Sequence, residues 1–280
     1  MKVLIHGGFF SESATDDGTK QRKQAALQQI VRKAFDYLQT HSAVETVVFA
    51  VKLLEDDPLF NAGIGSQIQA DGKIRMSASL MDGTTQKFSG VINIEEVKNP
   101  IEVALVLMQE DDRVLGGEPA TRYARQKGFE VFSTEIPQRR NEYEAKLKSK
   151  GLGTVGCVAL DANGRLAAAT STGGKGFEIP GRISDSATVA GNFATSVAAV
   201  SLTGVGEDIV SGAVAAKIVT RVTDGFSVEE ATKKTFNELK AFDGFAGAIV
   251  LDASGNSFHL DSHPKMVYAV FDGIEEDIFD

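Results

Sequence analysis

Thr154 is the residue whose place in the sequence most clearly suggests chemistry. It follows Gly153 and begins the apolar run TVGCVAL, which is typical of a buried β-strand. A threonine hydroxyl needs a base beside it, and an N-terminal threonine carries one in its own α-amine, whose reference pKa is about 7.7–8.0. We therefore predict that the chain is cut between Gly153 and Thr154, so that Thr154 becomes an N-terminal nucleophile.

The Thr154 hydroxyl could make this cut itself, by attacking the Gly153 carbonyl and passing through an ester. Glycine suits the position before the cut because, lacking Cβ, it tolerates the strained backbone that such an attack requires. The alternative is that Gly153 ends a loop and that Thr154 is a β-branched strand residue. For a Gly-Thr pair taken alone, this alternative is far the commoner.

Further hydroxyl groups end the neighbouring predicted strands. Thr172 closes the strand paired with that of Thr154, and Thr203 with Gly204 closes the next one. Neighbouring strands could bring Thr172 to the Thr154 oxygen, and could turn the Thr203 hydroxyl and the Gly204 N–H toward a developing oxyanion. The alternative is that these threonines merely fit the sheet.

The segment GRISD places a cation and an anion, Arg182 and Asp185, three residues apart. One helical turn would point both side chains the same way, as a clamp for the α-carboxylate and α-ammonium groups of an amino acid. The alternative is an ordinary surface ion pair.

Other kinds of site are disfavoured by the sequence. No G-x-G-x-x-G follows a strand, and Gly174-Lys175 is followed by glycine rather than serine or threonine, which excludes a P-loop. A metal site at His259, Asp261 and His263 is disfavoured because the first two share a strand face while the third lies at a turn. The single cysteine, Cys157, is expected to be a buried hydrophobic residue.

The elements that position these residues follow from hydrophobic periodicity. Residues 2–6 indicate a strand, and the helix expected after Gly18 has an apolar face of Leu27, Ile30, Val31, Ala34 and Leu38. Ser42 with Glu45 forms a capping box for a second helix that ends before Pro58. The next segment is an ordered loop at 61–66. We then expect a hairpin at Asp71-Gly72 that joins IQA to KIRMSASLM, a strand KFSGVINI, and helices at 100–110 and 118–127.

A charged stretch separates the two halves of the chain. Residues 137–150 indicate either a linker or a solvated surface helix. Beyond this stretch, Asn163-Gly164 predicts a type I′ hairpin, and TSVAAVSLT predicts a strand. We expect two helices at 207–222 and 227–240, followed by three closing strands in the C-terminal segment. Hairpin sheets with paired helices favour a single α+β domain, a four-layer αββα sandwich with two mostly antiparallel sheets, over a Rossmann fold.

Composition and net charge limit the kinds of binding partner and the cellular location that we expect for the protein. The net charge of −9 argues against a nucleic-acid partner, since phosphate binding would require a basic patch. No stretch approaches the roughly 18 apolar residues of a membrane span, and the N-terminus lacks a signal-peptide pattern. We expect a cytoplasmic protein without a membrane partner.

The chain resembles the plant-type, or type 2, asparaginase and isoaspartyl-peptidase family of N-terminal nucleophile (Ntn) hydrolases. The resemblance rests on ordered motifs that cover almost the whole chain: HGG at 6–8, LLEDDPLFNAGIGS at 53–66, MDG at 81–83, GTVG at 153–156, AAATSTGG at 167–174, PGRISDS at 180–186 and LTGVGE at 202–207. It implies autocleavage into an α chain (1–153) and a β chain (154–280), an αββα fold and a homo-oligomer, (αβ)2.

The resemblance also implies roles for particular residues. Thr154 matches the nucleophile, Thr172 the hydroxyl that orients it, Arg182 and Asp185 the substrate clamp, Thr203 with Gly204 the oxyanion hole and substrate contact, and Asn61 an active-site asparagine. No cofactor is implied for the chemistry. A structural sodium ion is implied on backbone carbonyls of the loop formed by Leu54, Glu55, Asp57, Phe60, Ala62 and Ile64.

Several positions depart from the family pattern and bear on the substrate. Phe9 and Phe10 follow the HGG motif in place of small residues, Ser77 replaces an aspartate and Ser184 replaces a glycine. The expected activity is hydrolysis of L-asparagine, of β-aspartyl (isoaspartyl) dipeptides, or of both. An uncleaved, inactive ligand-binding protein and a glycosylasparaginase-like specificity are the alternatives.

Overall fold

The computed structural model describes residues 1–9, 18–145, 153–263 and 266–280. Its helices are α1 (Thr19–Leu38), α2 (Ala43–Glu55), α3 (Pro100–Leu107), α4 (Gly117–Gln126), α5 (Pro137–Glu144), α6 (Gly206–Gly212), α7 (Val214–Thr223) and α8 (Val228–Leu239). Its strands are β1 (Lys2–Phe9), β2 (Met76–Asp82), β3 (Lys87–Ile94), β4 (Val114–Gly116), β5 (Val155–Leu160), β6 (Leu166–Thr172), β7 (Asn192–Ala194), β8 (Ala198–Gly204), β9 (Ala246–Asp252), β10 (Ser257–Asp261), β11 (Met266–Phe271) and β12 (Glu276–Ile278).

Two sheets form the centre of the molecule. The first has the order β12-β11-β1-β5-β6-β2-β3-β4 and is antiparallel except for the parallel pair β3–β4. The second has the order β10-β9-β8-β7 and is antiparallel throughout. Helices α1, α2 and α3 cover the outer face of the first sheet, while α7 and α8 cover that of the second. The inner faces pack together, with β5 and β6 against β8, which confirms the predicted αββα sandwich.

Three apolar cores match these layers. One lies between α1–α3 and the first sheet, one between the two sheets, and one between the second sheet and α6–α8. The predicted apolar face of α1 is buried in the first of these cores. Both predicted helix starts with serine form complete capping boxes, Ser42 with Glu45 and Ser227 with Glu230.

The hairpin predicted around Asp71-Gly72 is wrong in its first arm. A turn forms there, but the strand β2 begins only at Met76, and residues 67–70 belong to no strand. The backbone of that segment is bonded elsewhere: Gln67 N–H donates to the Gly173 carbonyl, and Ala70 N–H donates to the Glu178 carbonyl. The segment therefore lines the loop that follows β6 instead of pairing with β2.

The hairpin at Asn163-Gly164 forms with a different turn. Leu160 pairs with Leu166, so five residues connect β5 and β6, and only Gly164 of the predicted pair has a positive φ. A type I′ turn requires positive φ at both central residues. The Asp161 carboxylate accepts from the N–H groups of Asn163 and Arg165 and closes the longer loop instead.

The helix predicted at 207–222 is broken. It forms as α6 and α7, because Ala213 takes a left-handed conformation with φ of 47°. The Ala215 N–H donates to the Ala190 carbonyl, so the first turn of α7 is tied to the loop before β7.

The charged stretch at 137–150 is not a free linker over its first part. It forms α5, in keeping with the surface-helix alternative, and the helix is bonded to the loop at 65–72. Arg139 Nε donates to the Gly65 carbonyl at 3.0 Å, and Tyr143 Oη donates to the Ala70 carbonyl at 3.2 Å. The remainder of the predicted linker, 146–150, lies outside the described residues.

Candidate active site

Thr154 lies immediately before β5 and is almost completely buried. Its Oγ1 donates to Thr172 Oγ1 at 3.3 Å, and its second hydroxyl neighbour is Ser186 Oγ at 3.5 Å. The first contact follows from strand register, because Val155 pairs with Ser171 in the β5–β6 ladder. The structure thus brings together the hydroxyl groups of Thr154 and Thr172, as the sequence predicted from their positions at strand ends.

Asn61 packs against the residue before Thr154. A Cβ on Gly153 would lie 2.6 Å from Asn61 Cβ, so only glycine fits there without movement of the asparagine. Asn61 is itself fixed, because its Nδ2 donates to the Gly174 carbonyl and its Oδ1 accepts from Gln67 N–H. The predicted cleavage position is therefore held between the 61–67 loop and β5.

The predicted oxyanion residues end β8 in the second sheet. Thr203 is fully buried, and its Oγ1 has no hydrogen-bond partner within the part of the chain that the structure describes. An unpaired buried hydroxyl is costly, which points to a partner supplied by a ligand. Gly204 has φ of 145° and no room for a Cβ beside the Phe245 carbonyl, so glycine is required.

Arg182 forms a different ion pair from the one suggested by its spacing. Its Nε and Nη2 donate to the two carboxylate oxygens of Glu207 at 2.7 and 2.9 Å, and Lys175 Nζ also reaches Glu207 at 3.2 Å. The Arg182 hydrogen bonds lower the pKa of Glu207 to about 2. Arg182 and Glu207 line a cavity of about 520 Å³.

Asp185 lies next to Arg182 without forming a salt bridge to it. Arg182 Nη2 and Asp185 Oδ1 each lie 2.8 Å from the place where a Cβ of Gly206 would be, so the glycine lets both side chains converge. Asp185 is buried, and its Oδ2 has no partner among the described residues. Burial raises the pKa of Asp185 to about 7, against the opposing effect of Arg182.

Two groups of site residues escaped the sequence analysis. Ser186 and Glu207 contact the predicted site residues Thr154 and Arg182. Each is the last residue of a motif on which the resemblance rests, PGRISDS or LTGVGE, but its residue type alone indicates no role. Behind Thr154, His6 Nε2 lies 2.8 Å from Ser201 Oγ, which lies 2.7 Å from Thr170 Oγ1. The sequence signal for this network is the two-residue spacing of Thr170 from Thr172 and of Ser201 from Thr203, which places each pair on one face of its strand.

The His6 network joins the two sheets directly behind the candidate nucleophile. Burial lowers the pKa of His6 to about 3, so the imidazole is neutral. Gly156 leaves the space for it, since a Cβ there would collide with Ser201 Oγ and the His6 ring. By contrast, Cys157 is fully buried and burial raises the pKa of its thiol, which excludes a thiolate nucleophile.

The positions that depart from the family pattern have structural roles here. Ser77 pairs with Thr172 in the β2–β6 ladder, and its Oγ accepts from Asn93 N–H at 3.1 Å. Ser184 Oγ accepts from Ser186 N–H and so caps the short 3-10 turn Asp185–Ala187. The Phe9 ring packs on Phe245 at 4.5 Å between centroids. Phe10 lies outside the described residues.

The loop after α2 has the oxygen atoms that a sodium ion would need. Carbonyl oxygens of Glu55 and Phe60 approach so closely that a Cβ on Gly63 or Gly65 would collide with them. Neither carbonyl accepts a backbone hydrogen bond from the described residues, whereas that of Asp57 accepts from Phe60 N–H. The carbonyls of Leu54 and Ala62 also accept one backbone hydrogen bond each, which leaves each a second lone pair. Converging carbonyl oxygens with free lone pairs fit a hard cation. The loop residues Leu54, Glu55, Asp57, Phe60, Ala62 and Ile64 would hold it through their carbonyls, in a structural rather than a catalytic capacity.

The histidines near the end of β10 stack on aromatic rings and do not form a metal site. Within the described ranges, no group of three or more His, Cys, Asp or Glu side chains could hold a metal ion. His259 instead stacks on Tyr268 at 3.8 Å, and His263 stacks on Phe245 at 4.7 Å. None of the described helices is long and apolar enough to cross a membrane.

Comparison with known proteins places the chain in a family. The chain matches the asparaginase profile Asparaginase_2 over residues 1–143 and 133–277. It is 44% identical over 274 residues to an isoaspartyl peptidase/L-asparaginase of Synechocystis, covering 91% of this chain and 83% of the relative. It is 37% identical over 281 residues to an isoaspartyl peptidase of Escherichia coli (91% and 87%) and 33% identical over 307 residues to a plant-type L-asparaginase of Pyrococcus horikoshii (98% and 97%). The two sheets and these similarities together show that the chain is a hydrolase of the asparaginase family, which has the Ntn-hydrolase fold.

Proposed function

We propose that the protein is an N-terminal threonine amidohydrolase that acts on L-asparagine, on β-aspartyl dipeptides, or on both, after self-cleavage between Gly153 and Thr154. The observation that carries the proposal is the Thr154–Thr172 hydroxyl pair at the ends of β5 and β6, 3.3 Å apart and buried. The names of the relatives support the substrate class.

In the cut chain, the α-amine of Thr154 takes the proton of its own Oγ, which attacks the side-chain amide carbon of the substrate. The Thr203 hydroxyl and the Gly204 N–H stabilise the oxyanion that forms. The amine returns the proton to the leaving ammonia or peptide amine, leaving a β-aspartyl ester on Thr154. Water, deprotonated by the amine, then cleaves the ester and releases L-aspartate.

The substrate's backbone groups are bound by the charged pair beside Gly206. Arg182 is suited to the α-carboxylate, because a guanidinium binds a carboxylate through two parallel hydrogen bonds. Asp185 is suited to the α-ammonium, which would provide its unpaired Oδ2 with a partner. The side-chain amide of the same molecule would then face Thr154.

Two further features belong to this proposal. We propose that a sodium ion on the carbonyls of the loop after α2 stabilises the segment that ends at Asn61. We also propose that the matured protein is an (αβ)2 homo-oligomer, consistent with the exposed apolar side chains of Ile179 and Ile183 on either side of Arg182. Light scattering of the matured protein checks the second point.

The direct test is hydrolysis of L-asparagine and of a β-aspartyl dipeptide by the wild type and by Thr154→Ala. The variant should release no aspartate from either compound, while Thr232→Ala, which removes a buried threonine from α8, should keep wild-type activity. Persistent hydrolysis by Thr154→Ala would remove Thr154 from the nucleophile role.

A further inference from the structure

Ser186 is a third hydroxyl at the candidate nucleophile. It occupies the middle of the turn Asp185–Ala187, is fully buried, and has its Oγ 3.5 Å from Thr154 Oγ1. Among the described residues, only Thr172 and Ser186 provide side-chain hydrogen-bond partners for that oxygen. The Ser186 contact is long for an O–H···O bond, as catalytic contacts commonly are before the reaction begins.

The backbone of Ser186 is held firmly while its hydroxyl is not used by the fold. Its N–H donates to Ser184 Oγ at 3.3 Å, and its carbonyl accepts from Ser79 Oγ at 2.6 Å. Within the described part of the chain, Thr154 is the only hydrogen-bond partner of Ser186 Oγ. Among the described residues, this hydroxyl is therefore positioned for Thr154 alone.

Thr172 and Ser186 differ in what they can do with a proton. Thr172 Oγ1 accepts from Thr154 Oγ1 and also from Gly174 N–H at 3.3 Å. A hydroxyl oxygen has two lone pairs, so both acceptor positions of Thr172 are engaged. Ser186 Oγ has lone pairs free to accept a proton, and it has its own proton to pass on.

The uncut chain poses a chemical problem that the mature enzyme does not. Before cleavage the Thr154 nitrogen belongs to an amide and cannot act as a base. Transfer of the Gly153 acyl group from that nitrogen to Thr154 Oγ nevertheless requires one proton to leave Oγ and one to reach the nitrogen. Both atoms belong to the same residue, so a single hydroxyl beside Oγ can serve both transfers.

We propose that Ser186 is a catalytic residue of self-cleavage, in which it shuttles this proton; the inference rests on the function proposed above. As Thr154 Oγ bonds to the Gly153 carbonyl carbon, its O–H turns from Thr172 to Ser186, a contact in which either hydroxyl can be the donor, and its proton passes to Ser186 Oγ. The Ser186 proton passes to the Thr154 nitrogen as the C–N bond breaks. One C–O bond replaces one C–N bond and no proton is gained or lost, so no external base is required. The freed α-amine then deprotonates the water that hydrolyses the Gly153–Thr154 Oγ ester, which separates the two chains and returns the proton to Thr154 Oγ. From that point the α-amine is the base, and Ser186 is dispensable for turnover.

The test compares maturation with turnover in Ser186→Ala. Maturation is followed by intact mass over time, and kcat for asparagine is measured per mole of β chain in the matured fraction. We expect maturation to slow about 100-fold and kcat of the matured fraction to change less than about threefold. Ser89→Ala, which removes a buried serine hydroxyl bonded to the Ala104 carbonyl, is the matched control and should mature at the wild-type rate.

A second variant and an isotope measurement guard against a folding defect. Ser184→Gly keeps the Ser186 hydroxyl but removes the bond that holds its N–H, so maturation should slow about 10-fold. In mixtures of H2O and D2O, the rate of wild-type maturation should depend on the D2O fraction as expected for two protons transferred in the rate-limiting step. The rate for Ser186→Ala should not show this dependence.

Three results would overturn the proposal. Maturation of Ser186→Ala within about twofold of the wild-type rate would exclude the shuttle, as would equal losses of maturation and kcat, since a shuttle specific to cleavage spares turnover. Absence of cleavage in the wild type would overturn the proposed function and this inference together, and it is recognised without any variant.

Discussion

At the scale of single residues, Glu207 determines how Arg182 is presented. It binds the guanidinium through Nε and Nη2, which leaves the edge formed by Nη1 and Nη2 for a second carboxylate. Glu207 therefore orients the arginine for substrate rather than competing with it. The GRISD spacing in the sequence could reveal Arg182 but not its ion-pair partner, because Arg182 and Glu207 are separated by 25 residues and two strands.

Glu207→Gln should raise KM for asparagine about 10-fold with kcat within about twofold, because a neutral amide holds Arg182 less firmly. Lys175→Ala is the control, since Lys175 bonds to Glu207 but not to Arg182, and its KM should stay near that of the wild type. Steady-state kinetics of both variants measures KM and kcat. An unchanged KM in Glu207→Gln would show that Arg182 needs no support from this carboxylate.

Asp185 carries a stability cost that its substitution should relieve. Its pKa of about 7 in the folded protein lies above the model-peptide value of 3.8. Between these values the unfolded chain releases the proton while the folded chain keeps it, so the stability of the fold decreases as pH rises through that window.

Asp185→Asn should therefore stabilise the fold by about 2–4 kcal/mol at pH 8 and have little effect near pH 4, while substrate binding is lost. Thermal unfolding of both proteins at the two pH values measures the difference. An equal effect at both pH values would mean that the charge of Asp185 is not the source of the cost.

At the scale of elements, the strand ends were predictable and the loops between them were not. Period-two patterns located β5, β6 and β8, and hence Thr154, Thr172 and Thr203, because strand register depends on local alternation. The segment at 67–70 resembles a strand locally, but its partners lie at 173–178, more than 100 residues away. No local signal reports such a contact.

The break between α6 and α7 is a further feature that the helical pattern concealed. The left-handed conformation of Ala213 is strained for a residue with a Cβ, whereas glycine adopts it readily. Ala213→Gly should raise the free energy of unfolding by about 0.5–1 kcal/mol, as measured by denaturant titration.

The neighbouring glycine supplies the contrast for that measurement. A Cβ at Gly212 would lie 2.9 Å from Leu239 Cδ2, so Gly212→Ala should destabilise the fold where Ala213→Gly stabilises it. A loss of stability in Ala213→Gly would mean that the left-handed turn is not strained.

At the scale of the whole molecule, the layers were predictable because each follows from a simple periodicity and each is covered by an apolar face. The way in which the two sheets meet was not. The neutral His6 network and the buried Thr203 hydroxyl lie where β1, β5 and β6 face β8, and only the packing of two sheets brings these residues together. The catalytic proposal depends on this junction.

Intact-mass analysis of freshly purified and aged protein, with N-terminal sequencing of the fragments, tests the central claim most directly. We expect two fragments that meet at Gly153 and Thr154, with Thr154 as the new N-terminus, and a single uncut chain in Thr154→Ala. A wild-type chain that stays whole at 29.8 kDa after prolonged incubation would rule out Thr154 as an N-terminal nucleophile, because Thr154 would then have no α-amine to serve as its base.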